Sequence, residues 1–237
     1  MIVAEQKPLA EIRKIIAPFK KVLVAGCGTC VTVCFAGGAK EVAILGSSLR
    51  MAAQIDGEAR VVSEETVLRQ CEPEFVETIR EKVADVDAVL SIACGVGVQT
   101  MVEAYPDKAI LPGLNTSFYG RVLEPGVWTE SCVGCGNCIL HLTGGICPIT
   151  RCAKSLMNGP CGGSVNGRCE ISKDVPCVWA QIYERMAALG RLDAMEENIP
   201  AKDWSSARDG GPRTIIRDDV RLKTGPVEGL HVARTSK

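Results

Sequence analysis

The run CVGCGNC at 132–138 sets three thiols within seven residues, and five more cysteines follow by position 177. A stretch this dense in cysteine folds around whatever occupies its sulfurs: a disulfide, a reaction or a metal. The chain's total of thirteen is odd and cannot pair fully within one molecule. Compartment narrows the choice further. The first residues, MIVAEQKPLAEIRK, carry acidic side chains and no apolar run, and the later apolar stretches are interrupted short of spanning length. A soluble, cytoplasmic chain without membrane insertion is therefore expected. A reducing cytosol keeps thiols free, so metal ligation is the leading reading. The 27 basic residues nearly cancel the 28 acidic ones; no net field draws a polyanion, and nucleic acid is not an expected partner.

Five cysteines precede residue 130 and eight lie between 132 and 177, and this change in density marks a boundary. The expected organisation is an α/β domain over 1–128, a cysteine-rich metal-binding domain over 129–192 and an extended C-terminal arm over 193–237. The arm is rich in charge and turn formers, with GGP at 210–212 and GPVEG at 225–229. It has little core of its own, and its Trp204 and Ile215-Ile216 pair would lie on this chain or on a partner.

Through the first half, strand-like and helix-like segments alternate. KKVLVAG at 20–26 reads as a strand, and the segment 31–54 has helical spacing at Val42, Leu45, Leu49 and Ala53. ARVVSEETVL reads as a second strand. QCEPEFVETIREKV follows as a helix opening at Pro73, with Val76, Ile79 and Val83 on one face. DAVLSIACGVGVQ gives a third strand with a glycine-rich exit, and AILPGLNT at 109–116 a fourth. Alternation of this kind makes a mostly parallel sheet with helical crossovers, Rossmann-like or flavodoxin-like. Such sheets carry their sites at the carboxyl ends of the strands. Cys27, Cys71 and Cys94 stand just past three expected strand ends, with Cys30 and Cys34 in the first loop and turn.

GCGTCVTVC departs from a dinucleotide fingerprint at Val31, where the third glycine belongs, and it has no phosphate-loop lysine. Its CxxCxxxC spacing instead sets thiols around the amino end of a helix, where free backbone NH groups and the helix dipole stabilise negative sulfur. Cys27, Cys30, Cys34 and Cys94 form the first candidate site, with Cys71 a replacement ligand or a small buried hydrophobe.

In the second half, Gly134 and Gly136 let the CVGCGNC run turn tightly around one cluster. A bacterial ferredoxin run places its fourth cysteine three residues on, followed by proline. Here the cysteine-proline step comes after ILHLTGGI, at Cys147-Pro148. Cys132, Cys135, Cys138, Cys147, Cys152, Cys161, Cys169 and Cys177 suffice for two four-thiolate sites. If the CxxCxxC trio stays together, any of the other five can complete it. Four cysteines also make a structural zinc site, although zinc ribbons usually present two separated pairs. The third closely spaced cysteine favours iron-sulfur at the first site, and iron-sulfur and zinc both remain open for the later cysteines. NGPCGG at 158–163 reads as a turn bringing backbone close to whatever Cys161 holds. DVPCVWAQIYERMAALG reads as a helix from Pro176 to Gly190, with Cys177 in its first turn and Trp179, Ile182, Tyr183 and Met186 on one side.

The two histidines, His141 and His231, lie in no recognisable catalytic setting. With no flavin or nicotinamide fingerprint, the available redox groups are the clusters themselves, which pass single electrons.

RQCEPEF, ACGVGVQ, CVGCGNC, NGPCGG, GRCE and CVWAQIYERM, in this order across nearly the whole chain, resemble the MetV-type accessory subunit of methylenetetrahydrofolate reductase, a family related to the reductase's C-terminal region. The resemblance implies a non-catalytic iron-sulfur subunit with two [4Fe-4S] clusters and a third site of iron-sulfur or zinc. Its partner would be a MetF-type reductase that carries the FMN or FAD and reduces 5,10-methylenetetrahydrofolate to 5-methyltetrahydrofolate, often in acetogenic one-carbon metabolism. An upstream donor protein would supply the electrons. Family ligation falls on Cys132, Cys135 and Cys138, then on the Cys27, Cys30, Cys34 group. The alternative is a zinc-holding structural or regulatory subunit that transfers no electrons.

Overall fold

A computed structural model describes residues 1–208, 211–217 and 219–221; GPVEG, His231 and position 210 of the GGP turn lie outside the described residues. The chain divides into two compact units, Met1–Thr129 and Glu130–Lys237.

In the first unit, β1 (Ile2–Gln6) and α1 (Leu9–Ile16) precede β2 (Lys21–Cys27). The short α2 (Cys30–Val33) and the long α3 (Ala39–Ile55) lead to β3 (Val61–Val67). Next come α4 (Pro73–Glu77), α5 (Arg80–Ala84) and β4 (Ala88–Ile92), then α6 (Gly95–Ala104) and β5 (Ala109–Pro112). Four of these strands form one parallel sheet in the order β3-β2-β4-β5. Counted along the sheet's own strands the order is 2-1-3-4, so the direction of winding reverses between β2 and β4. A crevice opens outside the carboxyl ends at such a reversal.

Alternation along β2 explains the layers. Val22 and Val24 face one side with Val42, Leu45 and Leu49 of α3. Leu23 and Ala25 face the other with Val76, Ile79, Val83 and Met101. A strand buried on both faces must be apolar throughout, as VLVA is. At the opposite end of the sheet, Asp87 accepts the backbone NH groups of Lys20 (2.9 Å) and Lys21 (2.8 Å), tying the start of β2 to that of β4.

Several sequence expectations need correction. The helix expected over 31–54 is two helices, because the chain turns at 34–38, with Phe35 at φ +55°. Gly37 lies so close to β4 that a Cβ there would overlap the Ile92 carbonyl. The helix opening at Pro73 is likewise broken, into α4 and α5, yet Val76, Ile79 and Val83 are all buried. AILPGLNT is not one strand. Pro112 can donate no further ladder bond, Gly113 donates to Ser91 O (2.8 Å) and the chain leaves the sheet. It continues as β6 (Leu114–Glu124), which with β7 (Val127–Cys132) and β1 forms a second sheet in the order β1-β6-β7 that the sequence reading missed. β1 and β6 run antiparallel, with Ile2 opposite Tyr119.

The second unit is mostly loop around α7 (Pro148–Arg151) and α8 (Val178–Ala188), with short 3-10 turns. Its core cluster is Cys177, Val178, Trp179, Ile182 and Met186, with Ile146, Met195 and Ile199 packed against it. Cys177 is the N-cap of α8, not part of its first turn, and Gly190 at φ +65° follows the helix end. Tyr183, expected on the buried side, is 56% exposed. Trp204 and Ile215 are also exposed. Among the described residues no helix is long and apolar enough to cross a membrane.

Candidate metal centres

The strand-end thiols gather where the sheet reverses. Cys27 is the last residue of β2, Cys30 opens α2 and Cys94 is the N-cap of α6. Cys27 Sγ lies 3.6 Å from Thr29 Oγ1 and 3.9 Å from Leu68 O, which brings it against the loop after β3. That loop carries Cys71. Desolvation pushes the Cys71 thiol up, and the neighbouring Cys27 and Cys94 thiols push it further. The Arg69 guanidinium, paired with Glu72 at 2.6 Å, also faces Cys71 and Cys30 and supplies positive charge at the rim.

Gln70 anchors this loop. Its side chain is fully buried; Nε2 donates to Ala25 O (2.9 Å) and Gly26 O (3.0 Å), and Oε1 accepts from Ser91 Oγ (2.6 Å). One amide thus joins the loop to the ends of β2 and β4. Gly97 of α6 packs so tightly on it that a Cβ there would stand 2.8 Å from Gln70 Cβ. Sequence reading passed over Gln70; its one signal was a polar side chain beside a candidate thiol. Cys34 is placed differently. It is buried among Val3, Ala4 and Val31, and its thiol donates to Ile2 O at 3.4 Å. Burial pushes that thiol up.

In the second unit, Cys132, Cys135, Cys138 and Cys147 line one cavity of about 300 Å³, walled by Val133, Ile139, Leu140 and Ile149. Gly134 (φ +62°) and Gly136 (φ +82°) make the turns between these cysteines in a conformation that side chains disfavour. Gly134 N donates to Cys132 Sγ at 3.3 Å. Lys202 donates to Asn137 O (2.9 Å), and Ser206 Oγ to Cys135 O (3.1 Å), so the segment after α8 braces the loop.

Cys152, Cys161, Cys169 and Cys177 line a second cavity of only about 20 Å³, with Lys154, Glu170 and Trp179. Two contacts set its walls. The NGPCGG turn packs on α8 at Gly159, where a Cβ would overlap the Trp179 ring. Trp179 Nε1 donates to Leu156 O (3.1 Å). Burial pushes the Cys177 thiol up, but the Ser164 hydroxyl and the backbone NH groups of Ala180 and Trp179 outweigh it and hold the thiol below its ordinary value. Glu170 is paired with Lys154 and accepts from the Cys161 thiol at 3.4 Å. The Lys154 bond, then the Cys161 bond, holds its carboxyl below the usual carboxylate range.

Among the described residues, no three His, Cys, Asp or Glu side chains already converge as they would around one bound ion. The sulfurs of the second unit are spread around two cavities. As a donor set, four thiols around an apolar space of about 300 Å³ fit a four-thiolate cluster. Four thiols also line the smaller cavity, a donor set that fits a closed four-thiolate site.

Residues 111–205 match the family described as Methylene-tetrahydrofolate reductase C terminal, a span that includes all eight thiols of the second unit and none of those at the strand ends. Comparisons with curated proteins and with solved structures gave no match.

Proposed function

We propose that this chain, whose residues 111–205 match the family described as Methylene-tetrahydrofolate reductase C terminal, is the electron-carrying accessory subunit of a cytoplasmic methylenetetrahydrofolate reductase complex. It would receive electrons from a donor protein and pass them to the FMN or FAD of a MetF-type subunit, which reduces 5,10-methylenetetrahydrofolate to 5-methyltetrahydrofolate. The observation that carries this reading is the grouping of the thiols, with one set at the sheet reversal and two separate sets of four lining cavities in the second unit.

Cys132, Cys135, Cys138 and Cys147 would hold one [4Fe-4S] cluster, and the strand-end thiols a second. Clusters in these positions supply one-electron exchange over a potential range that the surroundings set. The chain's own residues do the tuning. Val133, Ile139, Leu140 and Ile149 give the first cavity an apolar wall, and the Gly134 NH aimed at Cys132 Sγ offsets negative charge on sulfur. At the strand ends, Arg69 supplies that offset.

The third set, Cys152, Cys161, Cys169 and Cys177, lines one cavity and would hold either zinc or iron-sulfur. The zinc-holding structural or regulatory role is the alternative reading of this set. The amino end of α8 favours thiolate at Cys177, and the Lys154 cation, paired with Glu170, lies beside this set.

Iron, acid-labile sulfide and zinc should be quantified on protein purified without oxygen, with EPR of the dithionite-reduced sample. Cys135→Ser is expected to remove one reducible centre and leave the strand-end one; retention of every EPR signal would contradict the assignment. A colourless, iron-free preparation that fully supports its reductase partner would end the electron-carrier reading.

A further inference from the structure

We infer that Cys71 completes the strand-end site with Cys27, Cys30 and Cys94, that buried Gln70 holds it there, and that Cys34 is a core thiol outside the site. This rests on the electron-carrier reading for the nature of the occupant, but the geometry stands without it. The two cysteines competing for the fourth position face different surroundings. Cys34 Sγ is bonded to the carbonyl of Ile2 on β1, in the core cluster that also holds Val3, Ala4, Val31 and Cys27. A sulfur turned toward a neighbouring strand's backbone must break that bond before it can ligate anything at the end of β2. The loop of Cys71 already touches Cys27 through Leu68 O, and the adjacent Gln70 is bonded to the end of β2, which Cys27 closes, and to Ser91 of β4, which leads to Cys94.

Gln70 gives the loop a fixed register. Residues 68–72 follow β3, an edge strand, while Cys27 ends one central strand and Cys94 follows the other. A loop bridging from an edge to the centre of a sheet must satisfy the carbonyls left at the central strand ends. The Gln70 amide does this at Ala25 and Gly26 of β2 while accepting from Ser91 of β4. A buried side chain with all three of these hydrogen bonds made is costly to displace. The adjacent Cys71 is thereby fixed relative to both neighbours. Gln70 acts here as a positioning residue.

The test compares Cys71→Ser, Cys34→Ser and Gln70→Leu in the full chain, each purified without oxygen. Iron and sulfide content and reduced-state EPR are the readouts, with Cys135→Ser identifying the signal of the second-unit centre. Cys71→Ser is expected to lose the strand-end signal and its share of iron, and Cys34→Ser to keep both. Gln70→Leu keeps the volume but removes the hydrogen bonds; it is expected to shift or weaken the strand-end signal and leave the other unchanged. Loss in Cys34→Ser with retention in Cys71→Ser would overturn the inference, as would retention in both. An unchanged spectrum in Gln70→Leu would remove the role of Gln70.

A second measurement separates failure of the assignment from failure of the iron reading. Reduced, metal-free wild-type chain is treated with a short bifunctional thiol reagent and mapped by peptide mass spectrometry. Links from Cys71 to Cys27 or Cys94 are expected whatever the native occupant. Links from Cys34 to Cys27 or Cys94, with Cys71 only singly modified, would overturn the placement.

Discussion

Single residues set the geometry of each thiol group through contacts far from it in sequence. Gln70 reaches Ala25 and Gly26, and Ser206 reaches Cys135. Asp87 does comparable work at the other end of the parallel sheet. The backbone NH of Lys21, then that of Lys20, holds its carboxyl below the ordinary carboxylate range. A carboxyl whose folded value lies below its unfolded value stabilises the fold above the unfolded value, about 4, and loses that contribution as pH falls through the folded value. Asp87→Asn is therefore expected to lower the urea midpoint at pH 7, with the gap to wild type closing below about pH 4. A gap that stays constant down to acid pH would show that the carboxylate charge contributes nothing. Gln70 and Asp87 were not legible in the sequence, because a polar residue beside an apolar run reads as solvent-facing until its distant partners are known.

At the scale of elements, the parallel sheet followed from periodicity. Val42, Leu45 and Leu49 of α3 and the apolar strand β2 fall where their spacing puts them, because burying one helix stripe against one sheet face leaves few alternatives. The interruptions were harder to read. α2 and α3 are separate because the turn at 34–38 presses Gly37 on the Ile92 carbonyl, and nothing local in GGAK announces that contact. Gly37→Ala should cost about 3 kcal/mol by overpacking, read from chemical denaturation; a loss within error would mean that the turn can move away from β4. In the second unit, Ile182 on α8 is fully buried. Ile182→Ala is expected to cost about 3 kcal/mol through the cavity it leaves, measured as an earlier loss of Trp179 fluorescence. The second sheet escaped prediction because its strands β1 and β6 are separated by the whole parallel sheet in sequence.

For the molecule as a whole, the two units have unequal means of support. Met1–Thr129 buries apolar residues on both faces of a sheet, whereas the second unit has a single small core cluster among its described residues. A unit so poor in core needs other links, and under the proposed reading ligands tied to one metal would supply them. Stripping metal with a strong chelator under reducing conditions is thus expected to expose amides over 132–177 to hydrogen exchange while β2 and β4 stay protected; uniform protection after complete stripping would show that the second unit stands without metal. The sequence by itself determined the alternating strands and helices, the crowding of thiols after residue 130 and the reductase family resemblance, because periodicity, composition and motif order are properties of neighbours along the chain. Which thiols line one cavity was decided only by the tertiary structure. Cys147 joins the CVGCGNC trio, and Cys152 joins Cys177, through loop packing. Sulfur ligation depends on distance in space, which spacing along the chain leaves open wherever a long loop intervenes.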